Sequence, residues 1–529
     1  MPVDHMVRAS LPDNVRPRDI DEWVGWHRNV RQEVDGYFDI ANAESTPSLA
    51  GYQKTTKSIQ TLLKLASERD IEVRPFGGTW SFSDIAVAPG WMVDTAYLNW
   101  MFPIGGSILA GAYTGRHHEL FFVQGGTRIS QVNRVLEKQF SRSLSTSGAS
   151  NGQTIAGAIG TGTHGSSIDQ GGIQHHVVGI HLITGPDRHV WLERASDPAT
   201  EDRFADEIDA ELIRDDDLFN SALVSFGGMG FVAGVMIKTV PLFLLKASRN
   251  WAPFDDTLRH VVQTLDFSNI TLPGQTAPGE SRPYFFQAVI NPFDLSRAAI
   301  TTMYHAPHDG REIDYTPDKD TETGPGYELL GAVGALTDVF GGSIPTIVKE
   351  MAKVQLKPFG VDSAKKDKDK PPRVGTLGET FDFTTPRTKA LGAAIAVALD
   401  QVPTVLDHIL DEQQAGPAAP LIAACRFVRH SGGMIEFTQH ETTCVIDIDG
   451  VNSSRAHAFL ARVWRRLDDA GIAYTQHWGK VNNYDAANVR ARFGDDRIDK
   501  WIAARSSLLG SAQNRALFSS PFLERLQLS

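Results

Sequence analysis

The sequence predicts an α+β protein of two main units. Three observations predict it. Runs rich in β-branched and aromatic residues alternate with amphipathic helical stretches up to about residue 245. Two glycine clusters punctuate that region, at 77–78 and 148–165. From about 250 the composition changes to apolar strands separated by longer helical patterns, the signature of a sheet covered by helices on one face. A chain of 529 residues has room for two or three domains.

Taken in order, residues 1–40 carry no clear period and are expected to lie as an arm over a later domain. In TTKSIQTLLKLASERD, Ile59, Leu62, Leu63 and Leu65 to Ala66 recur at helical spacing, an amphipathic helix. IEVRPF reads as a strand entering a glycine turn, and WMVDTAYL and ELFFVQGG read as further strands. ISQVNRVLEKQF is an amphipathic helix. VVGIHLITGPDRHVWLER is a hairpin with Gly-Pro-Asp-Arg turn chemistry at its centre. GGMGFVAGVMIKTVPL is a strand behind a glycine turn. Beyond 250, FFQAVINPF, AACRFV and TCVIDID read as strands, whereas TLRHVVQTL, LSRAAITTMYH and HAFLARVWRRLDDAG read as helices. KKDKDKPPR (365–373) reads as a charged surface loop. From HWGK onward the chain reads as helical. The expected division is an arm over 1–40, a unit over 41–245, a second over 246–475 and a returning segment over 476–529.

Composition narrows the function. Apolar content of 41% and charged content of 22% are those of a soluble globular protein. A net charge of −12 argues against a nucleic-acid binder. Two cysteines, Cys425 and Cys444, make neither a disulfide framework nor a metal motif, which fits a reducing cytoplasm. The N-terminal stretch lacks the apolar core of a signal peptide. LGAAIAVAL (391–399) is too short to span a bilayer, so no membrane association is expected. The adjacent pairs His117-His118 and His175-His176 have diverging side chains, and no metal site is expected.

Gly160-Thr161-Gly162-Thr163-His164-Gly165 spells G-x-G-x-x-G. A dinucleotide fingerprint of the Rossmann kind needs a strand before it and a helix opening on its last glycine. Here small residues precede it, and SSIDQGGIQHH, which follows, has no helical period. The acidic residue expected about twenty positions on falls in the hairpin turn, at Asp187. The glycines still need a cause. Together with Phe76-Gly77-Gly78-Thr79-Trp80-Ser81 they form two loops bearing hydroxyls. Such loops suit a diphosphate clamped from two sides by backbone N–H groups. A pair of tight turns in a packed domain is the other reading the residues allow.

PFGGTWSFSD, FFVQGGTRISQVNRVL, SGASNGQTIAGAIGTGTHGSS, VVGIHLITGPDRHVWL and GGMGFVAGVMIKTV, in that order, resemble the FAD-binding domain of the vanillyl-alcohol oxidase and p-cresol methylhydroxylase superfamily. QTIAGAIGTGTHGS is the specific part. HWGK and the closing FSSPFLERL resemble the branch of sugar-1,4-lactone and alditol oxidases. The match over roughly 246–420 is weak. The resemblance implies a two-subdomain FAD-binding domain plus a substrate domain. It implies that Phe76, Gly77, Gly78, Thr79, Trp80, Ser81 and Phe82 hold the FAD pyrophosphate. Gly148, Thr154, Ile155, Gly157, Gly162, Thr163, His164 and Ser166 would line the other side, with Val235 and Ile237 toward the adenosine.

The sequence departs from that pattern twice. Many relatives carry a flavin-linking histidine in the first loop, where this chain has Trp80; the cysteine alternative in the second loop is also absent. The FAD is therefore expected to be non-covalent. The branch also places a Glu and an Arg two residues apart on one strand. Here the matching strand keeps Arg426 and has Ala424 in place of the carboxylate. Asp447 and Asp449 on the next strand could replace that acceptor, or could face solvent.

The resemblance implies oxidation of a CH–OH group by hydride transfer to flavin N5. Lys480 matches the family lysine that stabilises negative charge on the reduced ring. Arg426 would add charge or hold a substrate oxygen. His164 is expected to pack beside the flavin, and His477 to be structural. The substrate would be a small alcohol, polyol or sugar lactone, with oxygen or another acceptor taking the electrons. Two alternatives stay open: a bulkier, less polar alcohol or an amine, and a non-catalytic flavin-binding protein. The substrate's identity and the choice between oxidase and dehydrogenase are not legible. A homodimer is compatible with the sequence.

Overall fold

The computed structural model describes residues 5–148, 151–315, 344–346, 348–349, 373–382 and 389–529. Three sheets organise these residues. The first has four strands, in the order Val15–Arg18, Gly36–Ala41, Trp91–Tyr97 and Val73–Phe76. Two of its three pairings, those of Trp91–Tyr97 with Gly36–Ala41 and with Val73–Phe76, are parallel, and helix Leu49–Ser67 lies on one face. Ser48 caps that helix by accepting from Gly51 N, and Ile59, Leu62, Leu63 and Ala66 pack on Phe38, Ile40, Val73 and Val93. Residues 5–40 therefore differ from the arm expected over 1–40. Val15–Arg18 and Gly36–Ala41 are strands of this sheet, and the Glu22–Val24 and Arg31–Glu33 hairpin packs beside the first glycine loop. The alternation of buried Phe38 and Ile40 with half-buried neighbours is the local signal for the second of these strands.

The second sheet has six strands, running from Glu211–Arg214 through the hairpin Arg188–Glu193 and Val177–Gly185 to Phe231–Lys238, Leu120–Gln124 and Met101–Pro103. Strands Leu120–Gln124 and Phe231–Lys238, the hairpin and the helix Ile129–Phe140 lie where the sequence places them, whereas the edge strands Glu211–Arg214 and Met101–Pro103 carry no such reading.

The third sheet has eight antiparallel strands. Helices Asp256–Thr264, Val402–Ala415 and Ser454–Asp469 cover one face, through Leu258, Val261, Leu406, Ile409, Phe459 and Val463. LSRAAITTMYH is not a helix. From Arg297 onward it belongs to strand Arg297–Pro307, paired on both sides. Its Ile300, Thr301 and Thr302 favour the pleated state, and burial of Ala298, Ala299 and Ile300 on both faces hides the period that would reveal it. LGAAIAVAL is a strand for the same reason, within Ala390–Ala398. KKDKDKPPR lies outside the described residues up to 372.

After the last strand the chain returns to the first two sheets. Helices Ala486–Phe493, Asp495–Leu509, Ala512–Leu517 and Pro521–Arg525 complete their core, with Trp501, Phe522 and Leu523 buried beside Phe226 and Leu223. No described helix is long and apolar enough to cross a membrane.

Candidate functional site

A cavity of about 520 Å³ opens where the three sheets meet. The first glycine loop forms one wall. Strand Val73–Phe76 ends at Gly77, and Thr79 adopts a left-handed backbone with φ +59°. Gly77 lies against the side chain of Thr154, where a Cβ would come within 1.9 Å of Oγ1. A Cβ on Gly78 would come within 2.6 Å of the Gly152 carbonyl. The two loops can meet this closely only because these positions carry no side chain.

Thr154 caps helix Ile155–Thr161 by accepting from Gly157 N at 3.3 Å. The helix thus ends at the G-x-G-x-x-G motif instead of starting there, and Gly162 closes it with φ +73°. This is the reverse of the Rossmann arrangement.

The first loop is held from both chain ends. Trp26 N donates to Thr79 O at 2.8 Å, and Asn29 Nδ2 donates to Phe82 O at 2.7 Å. Phe82 N donates to Gly479 O at 2.7 Å, and Ser83 Oγ donates to Trp478 O at 2.8 Å. Trp80 stacks on Trp26 with centroids 5.1 Å apart, and His27 stacks on Phe82 at 4.1 Å. The indole of Trp80 also covers Gly152 of the second loop.

Of the residues expected to hold a cofactor, Phe76 to Phe82, Thr154, Gly157, Thr163 and His164 line the cavity, as do Arg426, Asp449 and Lys480. Gly148 is buried away from it. Ile155, Val235 and Ile237 point into the hydrophobic core, and Gly230 and Val232 reach the cavity in place of the latter two. Ser166 joins the loops to the third sheet, donating to Phe286 O and accepting from Phe427 N at 3.0 Å. Sequence reasoning missed His27 and Arg74. Both are buried on the cavity wall, and Arg74 Nη1 has no hydrogen-bond partner among the described residues. An arginine inside an otherwise apolar strand was the available signal.

The second wall is the open face of the third sheet. Antiparallel register sets Ala424 opposite Asp447, Ile422 opposite Asp449 and Arg426 opposite Val445. On the far side Ala394 and Gly392 face Asp447 and Asp449. Asp447 is wholly buried. Its Oδ1 accepts from Lys480 Nζ at 2.7 Å and its Oδ2 lies 3.0 Å from Arg426 Nε, off the N–H axis. Asp449 Oδ1 lies 3.2 Å from Lys480 Nζ, with 40% of its side chain exposed. Neither aspartate is the purely solvent-facing strand residue that one reading allowed.

Burial opposes the charge of Lys480, but Asp447 and Asp449 outweigh it and hold the ammonium above its ordinary pKa. Burial likewise opposes ionisation of Asp447, and Arg426 and Lys480 outweigh it, keeping this carboxylate well below the usual range. His164 is buried, and desolvation lowers its pKa to about 4. Its ring packs 5.5 Å from Phe437 and 5.6 Å from His477. Burial also lowers His477, whose Nδ1 accepts from Gly479 N at 3.0 Å. Both imidazoles are neutral at neutral pH.

This arrangement can cradle an extended ligand carrying a diphosphate and bring two cations and a carboxylate to one end of it. Residues 47–192 match the family model described as the FAD binding domain, and this part of the chain is an FAD-binding domain. The side-chain-free contact between the glycine loops and the unpartnered guanidinium nitrogen of Arg74 fit such a group.

Among its relatives, the chain is 22% identical to D-arabinono-1,4-lactone oxidase of Candida glabrata over 40% of its own length and 36% of that protein. It is 22% identical to L-gulono-1,4-lactone dehydrogenase of Mycobacterium tuberculosis over 87% of its length and 92% of that protein. The matches to the fungal lactone oxidases span only 36–39% of the length of those proteins. In fold it is similar to cholesterol oxidase from B. sterolicum, with a TM-score of 0.68, 12% identity and 98% of both chains covered. It is also similar to xylooligosaccharide oxidase from Myceliophthora thermophila, with a TM-score of 0.62, 13% identity and 98% and 97% covered.

Proposed function

We propose that this protein is a FAD-dependent oxidoreductase that oxidises a CH–OH group of a small alcohol, polyol or sugar lactone. One observation carries the reading: Lys480, tied to the first glycine loop through the Gly479–Phe82 hydrogen bond, shares a cavity wall with Arg426 and Asp449. Bound FAD supplies the hydride acceptor. Lys480 supplies fixed positive charge where negative charge develops, and Arg426 holds a substrate oxygen or adds to that charge. Asp449 accepts from a substrate hydroxyl. His164 and His477, neutral and packed together, shape the wall and keep water out. Phe76 to Phe82, with Thr154 and Gly157 opposite, grip the cofactor backbone to backbone. Residues 41–245 form the cofactor unit in this reading, 246–475 the substrate unit, and 476–529 the segment that returns Lys480 to the flavin.

Trp80 cannot form the covalent flavin bond, so the FAD is held by contacts alone. Ile422, Leu391 and Pro420 also line the cavity and favour a substrate with an apolar portion, which keeps a bulkier alcohol as the second reading. The reading assigns the protein to the cytoplasm, with a small-molecule substrate and an electron acceptor as its partners.

Two measurements test it. The purified protein is expected to be yellow and to release its flavin to the supernatant on acid precipitation. Colour retained in the pellet would show a covalent link and refute the role given to Trp80. In anaerobic stopped flow with a polyol or lactone panel, Lys480→Ala is expected to slow flavin reduction about 10²-fold or more. An unchanged rate would remove Lys480 from the chemistry.

A further inference from the structure

The open face of the third sheet carries an unusual row. Asp447, with no exposed surface, sits between Ala394 on one neighbouring strand and Ala424 on the other. The next row is Gly392, Asp449 and Ile422. A Cβ on Gly392 would come within 2.9 Å of Asp449 Oδ1 and 3.1 Å of the Phe82 ring. Small residues thus leave room for carboxylates at the meeting of this sheet and the first glycine loop. Both oxygens of Asp447 lie beside cations, and its side chain is wholly buried behind the cavity wall, out of reach of a substrate. Asp449 is open to the cavity, and among the described residues its carboxylate is held by Lys480 alone.

We propose that Asp447 is a positioning residue that clamps Lys480 and Arg426 together and offsets part of their charge, while Asp449 is the carboxylate that meets substrate. This deepens the oxidoreductase reading and rests on it for the location of the flavin. The clamp itself does not depend on the flavin. Two cations and two carboxylates make the group electroneutral. Asp447 lies directly opposite Ala424, so a carboxylate at 424 beside it would set like charges face to face. The two positions are alternative seats for one buried negative charge.

The first test uses the apoprotein. In a double-mutant cycle of Asp447→Asn and Lys480→Met, each single change leaves the buried group with one uncompensated charge, whereas the double variant is again neutral. Each is expected to lower the folding equilibrium constant about tenfold or more, with the double variant close to the worse single one. Additive losses would overturn the clamp.

The second test titrates the FAD-loaded protein with sulfite, an anion whose addition to oxidised flavin is favoured by nearby positive charge. Asp447→Asn is expected to tighten sulfite binding about tenfold or more, and Asp449→Asn by less. Equal effects, or weaker binding in Asp447→Asn, would overturn the division of roles. If Asp447→Asn does not fold, the exchange variant Ala424→Glu/Asp447→Ala is expected to restore a folded protein with wild-type sulfite affinity, and its failure counts against the proposal. If the wild type takes up no FAD, the oxidoreductase reading fails, whereas the apoprotein cycle still decides the clamp.

Discussion

At the scale of single residues, the site is governed by what burial does to charge. Asp447 stays ionised in an apolar setting because two cations face it; without them desolvation would win. For His164 and His477 burial outweighs the attraction of Asp447, and both stay neutral. His176 shows the consequence away from the cavity. It is buried, its Nε2 has no partner among the described residues, and burial lowers its pKa to about 3. Unfolded, it would take a proton near pH 6.5. Below that pH the unfolded chain binds more protons, so stability falls as pH drops from about 6.5 and the loss from this group stops below about 3. Urea unfolding at a series of pH values is expected to show His176→Gln with a shallower decline than wild type, by up to about 5 kcal/mol at full effect. Identical slopes would mean that the buried imidazole is not neutral.

At the scale of elements, the glycines separate into those that fix the site and those that only fill it. Gly77 and Gly78 allow the first loop to touch the second, and alanine at Gly77 would collide with Thr154. Gly77→Ala is expected to abolish FAD binding, read as loss of fluorescence quenching on titration with FAD. Gly160 belongs to the G-x-G-x-x-G motif, yet a Cβ there meets nothing closer than 4.0 Å. It lies inside helix Ile155–Thr161, so Gly160→Ala is expected to raise the unfolding free energy of the apoprotein by about 0.5–1 kcal/mol. A destabilised Gly160→Ala would contradict that contrast. Element type was legible where a wet face repeated over several turns, as in the helices Leu49–Ser67 and Ile129–Phe140. It was not legible at Arg297–Pro307, because a strand covered on both faces loses its alternation and short apolar runs suit helix and strand alike.

At the scale of the whole molecule, the C-terminal segment holds the site together. Trp478 is fully buried among Phe226, Tyr484, Phe493 and Phe522, and donates from Nε1 to Ile435 O at 2.8 Å. It thereby anchors Gly479 and Lys480 against a loop nearly four hundred residues earlier in the chain, where Ser83 donates to its carbonyl. Trp478→Ala is expected to cost about 3–5 kcal/mol, seen as a lower urea midpoint. It is also expected to weaken FAD binding, because the Phe82–Gly479 hydrogen bond loses its support. A full-strength FAD complex in a destabilised protein would separate the two effects.

The α+β class, most of the strands and helices between residues 49 and 238, and the two glycine loops are legible in the sequence. Each of these is written in local periods, in caps such as Thr154, or in a glycine that nothing else can replace. It also placed Lys480, Arg426, Asp447 and Asp449 on the elements that line the site. The tertiary structure alone decided how those four charges pair. Strand register set Asp447 between two alanines, and the return of residues 477–480 brought the lysine onto it. Register and chain return are long-range choices fixed by burial of whole faces, and no local pattern encodes them. For the same reason, only the folded molecule gave the N-terminal residues their place as strands of the first sheet and a brace for its glycine loop.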